Sequence, residues 1–444
     1  MSTESTPEGP VIDRDAIVFD WNELQTAPRP AQPFDLNDET LRDGVQSPSV
    51  VDPSIDDKLE LVDLMASLGI GSVNIGLPGA GKRAFDDVVA LARHIAKKKL
   101  QLLPNCAART VAADIKPVVE AAQKSGQKII VYTFIGSSPI RQWAEGWSLD
   151  FIEKTSADAI SFAVKEGLDV AYVTEDTTRS QPKNLDVLFR SAIDHGAKRL
   201  VLCDTVGHAT PSGTKALVEW TKGLISASGA DVKIDWHGHN DRGLAVPNAL
   251  AALEAGVHRL HACGLGVGER VGNTSMDLLL LNLKLLGWYG HDLSKLVDYV
   301  RKVSESTKVA IPVNYPLSGG DAFRTATGVH AAAIIKAQSK GDNWLADRVY
   351  SGVPAGEFGL EQVIEVGHMS GMSNVKYWLN HRGLKVTDDV VQKVLQKAKS
   401  TAWTLSEKEI LKVVKPAGGK KKAASKKSTA KGRAGWRTRT ASTG

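Results

Sequence analysis

The chain has 444 residues, 42% hydrophobic and 24% charged, which is enough for one barrel of about 250 residues and a smaller appendage. No apolar run approaches the roughly 20 residues of a membrane span, and the polar start MSTESTPEGP lacks the basic-then-apolar layout of a signal peptide. The expectation is a cytoplasmic protein without membrane contact. The formal charge of +5 resolves into an acidic body of −5 and a tail, residues 415–444, with ten Lys and Arg and no acid.

Residues 1–30 are mixed and polar and read as a flexible lead-in. From Phe34 apolar runs of strand length recur: FDLNDET (34–40), GSVNIGLP (71–78), LQLLPNC (100–106) and KIIVYTFIG (128–136). LDVAYVTEDT (168–177), RLVLCDTVG (199–207), VKIDWHGHN (232–240) and RLHACGLGVG (259–268) follow. The stretches between them, such as DDKLELVDLMASLG, carry helical periodicity. Strands alternating with helices imply parallel βαβ units, and eight such units close a barrel. An open doubly wound sheet would carry a Gly-rich phosphate fingerprint after its first strand, and LNDETLRDG is not one. The expected fold class is therefore α/β: a (β/α)8 TIM barrel over residues 31–290 with a helical C-terminal subdomain over 291–411. Residues 412–444 read as a disordered Lys-rich tail, too polar to bury a core. Cys106, Cys203 and Cys263 stand far apart in three of the runs, so disulfides and thiolate zinc sites are not expected.

Catalytic residues of such barrels lie at the C-terminal ends of strands. Those ends give Arg42 and Asp43, then Glu175 and Asp176, then Asp204 and Thr205. The seventh run gives His237, His239, Asn240 and Asp241, and the eighth leads into Glu269, Arg270 and Asn273. Residues two apart on a strand point the same way, so His237 and His239 aim at one point, with Asp43 across the mouth. Two nitrogens and a carboxylate suit a divalent metal and leave positions open for substrate. Each feature alone has a plainer reading: core histidines, a surface Arg–Asp pair, a solvated loop acid, and a tight turn in GLGVG.

Together, DETLRDGVQSP, FIGSSPI, HGHNDRGLAVPNALAALEAG and GLGVGERVGNTS resemble the metal-dependent barrel acyltransferases and lyases. That family includes 2-isopropylmalate, homocitrate and citramalate synthases and hydroxymethylglutaryl-CoA lyase, and the resemblance covers residues 34–380. It implies an acyltransferase that condenses acetyl-CoA with a 2-oxo acid. GERVGNTS and FIGSSPI look more like 2-isopropylmalate synthase; ATGVHAAAIIKA looks closer to homocitrate synthase. Citramalate or Re-type citrate synthesis and hydroxyacyl-CoA cleavage are the alternatives. The likeness implies a metal (Mn²⁺ or Mg²⁺, with Zn²⁺ as the alternative) held by Asp43, His237, His239 and Asn273. It implies that Thr205 holds the substrate carboxylate, that Arg42 polarises the oxo group, and that Glu175 and His330 handle protons. Tyr132, Ser137 and Arg141 fall near the expected substrate pocket. The region of His330 often reaches the neighbouring subunit's site in this family, which implies a homodimer. The chain departs from the synthases at four positions: Val45 and Asn74 stand where Glu is usual, Tyr132 where His or another polar residue is, and Val173 where Ser is. Lyases carry a cysteine inside a Gly-rich loop after the eighth strand, whereas Cys263 precedes GLGVG.

The basic tail has one aromatic, Trp436, and no folded reader motif, so it reads as a solvated tail and not a nucleic-acid binder. Deleting residues 415–444 is expected to leave the melting temperature and turnover nearly unchanged. A large fall in melting temperature would show that the tail docks on the acidic body.

Overall fold

The eight apolar runs form eight short strands: β1 (Asp35–Asp38), β2 (Ser72–Asn74), β3 (Leu103–Arg109), β4 (Ile130–Gly136), β5 (Val170–Glu175), β6 (Arg199–Asp204), β7 (Lys233–Gly238) and β8 (Arg259–Ala262). Each pairs in parallel with the next, and β8 closes on β1 with Arg259 opposite Asp35 and Leu260 opposite Leu36. The fold is a (β/α)8 TIM barrel. This computed structural model describes residues 13–22, 30 and 32–414. The expected disordered tail beyond residue 414 and most of the expected lead-in lie outside the described residues.

Helices follow the strands because the intervening segments carry one apolar face. Helix Lys82–Lys98 buries Val88, Leu91, Ala92 and Ile95, a three-and-four spacing that puts them on one side. Ser54, Ser148 and Thr210 cap helix N-termini by accepting backbone N–H bonds. The aliphatic core lies between strands and helices, where Leu36, Val73, Leu200, Trp236 and Leu260 are fully or almost fully buried.

The barrel interior differs from the usual layers of branched aliphatics. Side-chain contacts across and around the barrel show polar groups filling it. Asn105 on β3 donates to Asn37 on β1 at 2.7 Å, and Tyr132 on β4 donates to Asp235 on β7 at 2.9 Å. Arg199 donates to Asp235 at 2.7 Å, and Arg259 donates both to the Tyr132 hydroxyl at 2.8 Å and to Asp35 at 2.7 Å. Burial alone would push Asp235 upward, but Arg199, His261 and Arg259 hold its carboxyl far below the usual range.

The described residues divide into two compact units, those up to residue 325 with 333–363, and residues 326–332 with 364–414. They do not part at the expected boundary near residue 290. Helix Leu296–Thr307 belongs to the barrel unit: it buries Leu296, Tyr299, Val300 and Val303, and its Lys302 pairs with Asp57 at 2.7 Å and with Glu60. Helical periodicity reveals an apolar face but not the surface that it covers. In the second unit helices Met372–His381, Asp388–Lys399 and Glu407–Val414 surround a core of Trp378, Val391, Val394 and Ile410. No helix among the described residues is long and apolar enough to cross a membrane.

Asp235→Ala would strand Arg199 and remove the acceptor of Tyr132 and His261. Leaving a buried cation unpaired costs about 3–5 kcal/mol, so urea denaturation should show a loss of that order, with Asp235→Asn losing less. A loss below about 1 kcal/mol would mean that the interior relaxes around the missing charge.

Candidate metal centre and catalytic pocket

A tight turn after β1 sets the first ligand. The backbone N–H groups of Arg42 and Gly44 both donate to the Glu39 carbonyl, at 3.1 and 3.0 Å. This places Asp43 at the head of a single 3-10 turn, Gly44–Gln46. Across the mouth, β7 carries His237, and His239 extends the ladder by donating its N–H to the Asp204 carbonyl at 3.1 Å. His239 in turn forms an antiparallel bridge with Asn273, from the loop after β8. That loop contains GLGVG. A Cβ at Gly268 would come within 2.2 Å of the Asn273 amide, and one at Gly272 within 1.8 Å of the Gly266 carbonyl. Its glycines thus allow the chain to fold tightly around Asn273, the turn reading of GLGVG.

The side chains converge. His237 Nε2 lies 3.1 Å and His239 Nε2 3.5 Å from Asp43 Oδ2, and the two Nε2 atoms are 3.3 Å apart. Ligand atoms bound at about 2.1 Å stand about 3.0 Å apart at adjacent corners of an octahedron and about 3.4 Å apart on a tetrahedron. The three atoms therefore suit a single divalent ion. Burial lowers the basicity of His237, favouring the neutral imidazole that a metal requires. Burial opposes ionisation of Asp43, but Arg42 and the two imidazoles hold its carboxyl well below the usual range. Two nearby buried atoms, Asn273 Oδ1 and His239 Nδ1, lack hydrogen-bond partners. The Asn273 amide nitrogen donates to the Val267 carbonyl at 3.0 Å, leaving its oxygen as the open end. A second trio, Glu39, His237 and His261, also gathers. It is less suited, because His261 spends one nitrogen on Glu39 at 3.3 Å and the other on Asp235 at 3.2 Å.

A cavity of about 130 Å³ opens beside the trio. Arg42, Asp43, His237, His239, Glu175 and Thr205 line one part of it; Ala107, Phe134, Val173, Val201 and Cys203 make an apolar wall. Thr205 Oγ1 accepts the Asp176 N–H at 2.8 Å, so its own proton is free to be donated. Glu175 ends β5, and burial raises its carboxyl above the ordinary value, with Arg141 and Arg42 opposing. Arg141 Nη2 is 3.8 Å from Glu175, while its Nη1 pairs with Glu145 at 2.8 Å.

Other sequence-predicted positions are differently placed. Tyr132 lines the cavity, but its hydroxyl is committed inward to Asp235 and Arg259. Ser137 is fully buried and turns its hydroxyl to the Glu175 carbonyl, 2.9 Å away, and to Ser180. It does not line the cavity. His330 lies exposed on helix Gly328–Ser339 in the second unit. Asp176, Asp204 and Asp241 hold structure: Asp176 pairs with Arg179, Asp204 caps the backbone of His208 and Ala209, and Asp241 pairs with Arg270. Glu39, His261 and Asp235 were not foreseen. Their signal was available as polar residues at every second position of apolar runs, in NDE, DWHGH and RLH.

A closed parallel barrel with this rim defines a TIM-barrel protein whose chemistry sits at the C-terminal mouth. The chain belongs to the HMGL-like family, which residues 34–303 match. It is 31% identical over 368 residues to the homocitrate synthase AksA of Methanopyrus kandleri, covering 82% of this chain and 86% of that protein. It is 29% identical over 372 residues to the 2-isopropylmalate synthase of Pyrococcus abyssi, covering 82% and 73%. The fold matches the HMG-CoA lyase of Bacillus subtilis with a TM-score of 0.52 and 18% identity, over 63% of this chain and 94% of that one.

Titrating Mn²⁺ into metal-stripped protein should show one tight site. His239→Ala should weaken it by roughly 100-fold or more while leaving the circular dichroism spectrum unchanged. Undiminished binding would remove His239 from the site.

Proposed function

We propose that this protein condenses acetyl-CoA with a small 2-oxo acid to give a 2-hydroxy dicarboxylate, and that its preferred oxo acid is 2-oxoisovalerate, making it a 2-isopropylmalate synthase. The observation that carries the reading is the convergence of Asp43, His237 and His239 on one point, beside Arg42 and facing an elevated Glu175. A divalent ion held there, with Asn273 as a fourth ligand, would supply Lewis-acid polarisation of the oxo group. Thr205 donates a hydrogen bond from its hydroxyl to the substrate carboxylate. Glu175, whose carboxylate burial makes more basic, takes a proton from the acetyl methyl. The Arg42 guanidinium stabilises the enolate oxygen that results. The new C–C bond forms between the methyl carbon and the oxo carbon, the oxo oxygen takes up a proton, and water cleaves the thioester to release CoA. A chamber of about 430 Å³ shares Arg42 and Gln46 with the cavity and gives room for the acyl carrier's arm. By the resemblance, His330 is the second proton-handling group, supplied across a homodimer in the cytoplasm.

The choice of oxo acid rests on the wall. Val173 and its apolar neighbours suit a branched hydrocarbon tail. A second substrate carboxylate would need a cation, and Arg42 is already shared by Glu39 and Asp43. Arg141 remains, tied to Glu145. The lyase reading finds less support: Cys263 is fully buried, and burial raises its thiol well above the ordinary value, unlike a cysteine poised in an open loop.

Pyruvate, 2-oxoisovalerate, 2-oxoglutarate and oxaloacetate should be compared with acetyl-CoA by following thiol release. 2-Oxoisovalerate should lead. A diacid better by about tenfold in kcat/KM, roughly 1.4 kcal/mol in the transition state, would reject the substrate choice, and Arg141→Ala should then damage diacid use selectively. Because Glu175 must be ionised and its pKa is raised, kcat should fall as pH drops through a value above the ordinary glutamate range. Glu175→Gln should remove that limb along with most activity.

A further inference from the structure

Glu39 is the first residue beyond β1, and its N–H continues the ladder to the Ala262 carbonyl at 2.8 Å. Its side chain is 1% exposed. Both carboxylate oxygens are filled. Oε1 accepts from Asn37 at 2.6 Å and faces His261 Nδ1 at 3.3 Å. Oε2 accepts from Asn74 at 3.0 Å and twice from Arg42, from Nε at 3.1 Å and from Nη2 at 2.6 Å. A carboxylate this saturated has no lone pair to spare for a proton or a metal. What it does is hold a plane. Two nitrogens of the guanidinium on one carboxylate oxygen fix the rotation of Arg42, and the third, Nη1, is left 3.5 Å from Asp43 Oδ1. Without Glu39 the nearest remaining anion is Asp43 itself, and the guanidinium would turn onto the carboxylate that the metal needs.

We propose that Glu39 is the positioning residue of this site, locking Arg42 in the one orientation in which it serves the oxo and enolate oxygens, with Asn74 and Asn37 holding Glu39 in place. The catalytic half of the proposal rests on the acyl-transfer reading above; the locking of Arg42 does not. The strand register makes Asn74 the partner from which a carboxylate can be supplied instead. β1 and β2 pair Asn37 with Ser72 and Asp38 with Val73, which brings Glu39 level with Asn74. A carboxylate at position 74 would end close to where Glu39 Oε2 now sits.

The test uses the full chain and two readouts. The Arg42 Nε–Hε resonance, assigned by its loss in Arg42→Lys, should exchange slowly with solvent in the wild type and rapidly in the near-isosteric Glu39→Gln. With 2-oxoisovalerate, Glu39→Gln should lower kcat about 10- to 100-fold and leave KM within about threefold, the pattern of an interaction made in the transition state. The double variant Glu39→Gln/Asn74→Glu should recover about tenfold of that loss and restore slow exchange. An Arg42 signal as protected in Glu39→Gln as in the wild type overturns the proposal whatever the reaction is. So does a kcat within about twofold of wild type. A wild type that turns over none of the oxo acids overturns the proposed function, and the exchange measurement still decides whether Glu39 locks Arg42.

Discussion

Charge matching inside the barrel is the constraint on which the rest depends. Strands that close on themselves turn every second side chain into a space without bulk water, where an unpaired ion costs several kcal/mol. This sequence puts acids, cations and an imidazole into that space, so each must find a partner across it. Arg259 spans from Asp35 to Tyr132, Asp235 gathers Arg199, Tyr132 and His261, and His261 passes on to Glu39. The chain of pairs runs upward through the barrel and ends at Arg42.

At the mouth the matching stops. Asp43 shares Arg42 with Glu39, and its other oxygen faces two imidazole nitrogens 3.3 Å apart, which cannot both donate to it and also bond to each other. Asn273, bridged to His239, also carries a buried oxygen without a hydrogen-bond partner. The end of the stack where the charges are no longer matched is the candidate place for a cation. The supporting pairs also stiffen the site at Arg42, which rests on Glu39, itself held by buried Asn37, Asn74 and His261.

The fold was legible because its signal is local. Each strand run and each amphipathic stretch identifies itself within ten or fifteen residues, and eight repeats leave little choice of topology. The rim residues were legible because a parallel barrel puts strand ends together. Their sorting was not. Asp43 and Asp204 look alike at the ends of their strands; that one faces two histidines while the other caps two backbone N–H groups depends on where other strands arrive. Ser137 sits in a motif-like stretch yet turns to Glu175's backbone, a choice made by the β4–β5 register. Glu39 was passed over because an acid just past a strand end reads as surface until the strand is known to be buried on both faces. The unit boundary escaped because helix Leu296–Thr307 has the same periodicity whether it covers the barrel or starts a new body.

The seam between β8 and β1 has a consequence in time. Asp43 follows the first strand, whereas His237, His239 and Asn273 belong to the last two strands and the loop beyond them. During synthesis, the early half of the barrel can acquire helices and pair its strands, yet it holds only one of the four residues proposed to hold the ion. The centre comes into being as the sheet becomes a cylinder. A cation captured at that proposed site would bind the closed form and not the open one, and would add its binding free energy to closure. If the proposed site holds a cation, the supply of that cation would act on the last step of folding as well as on turnover.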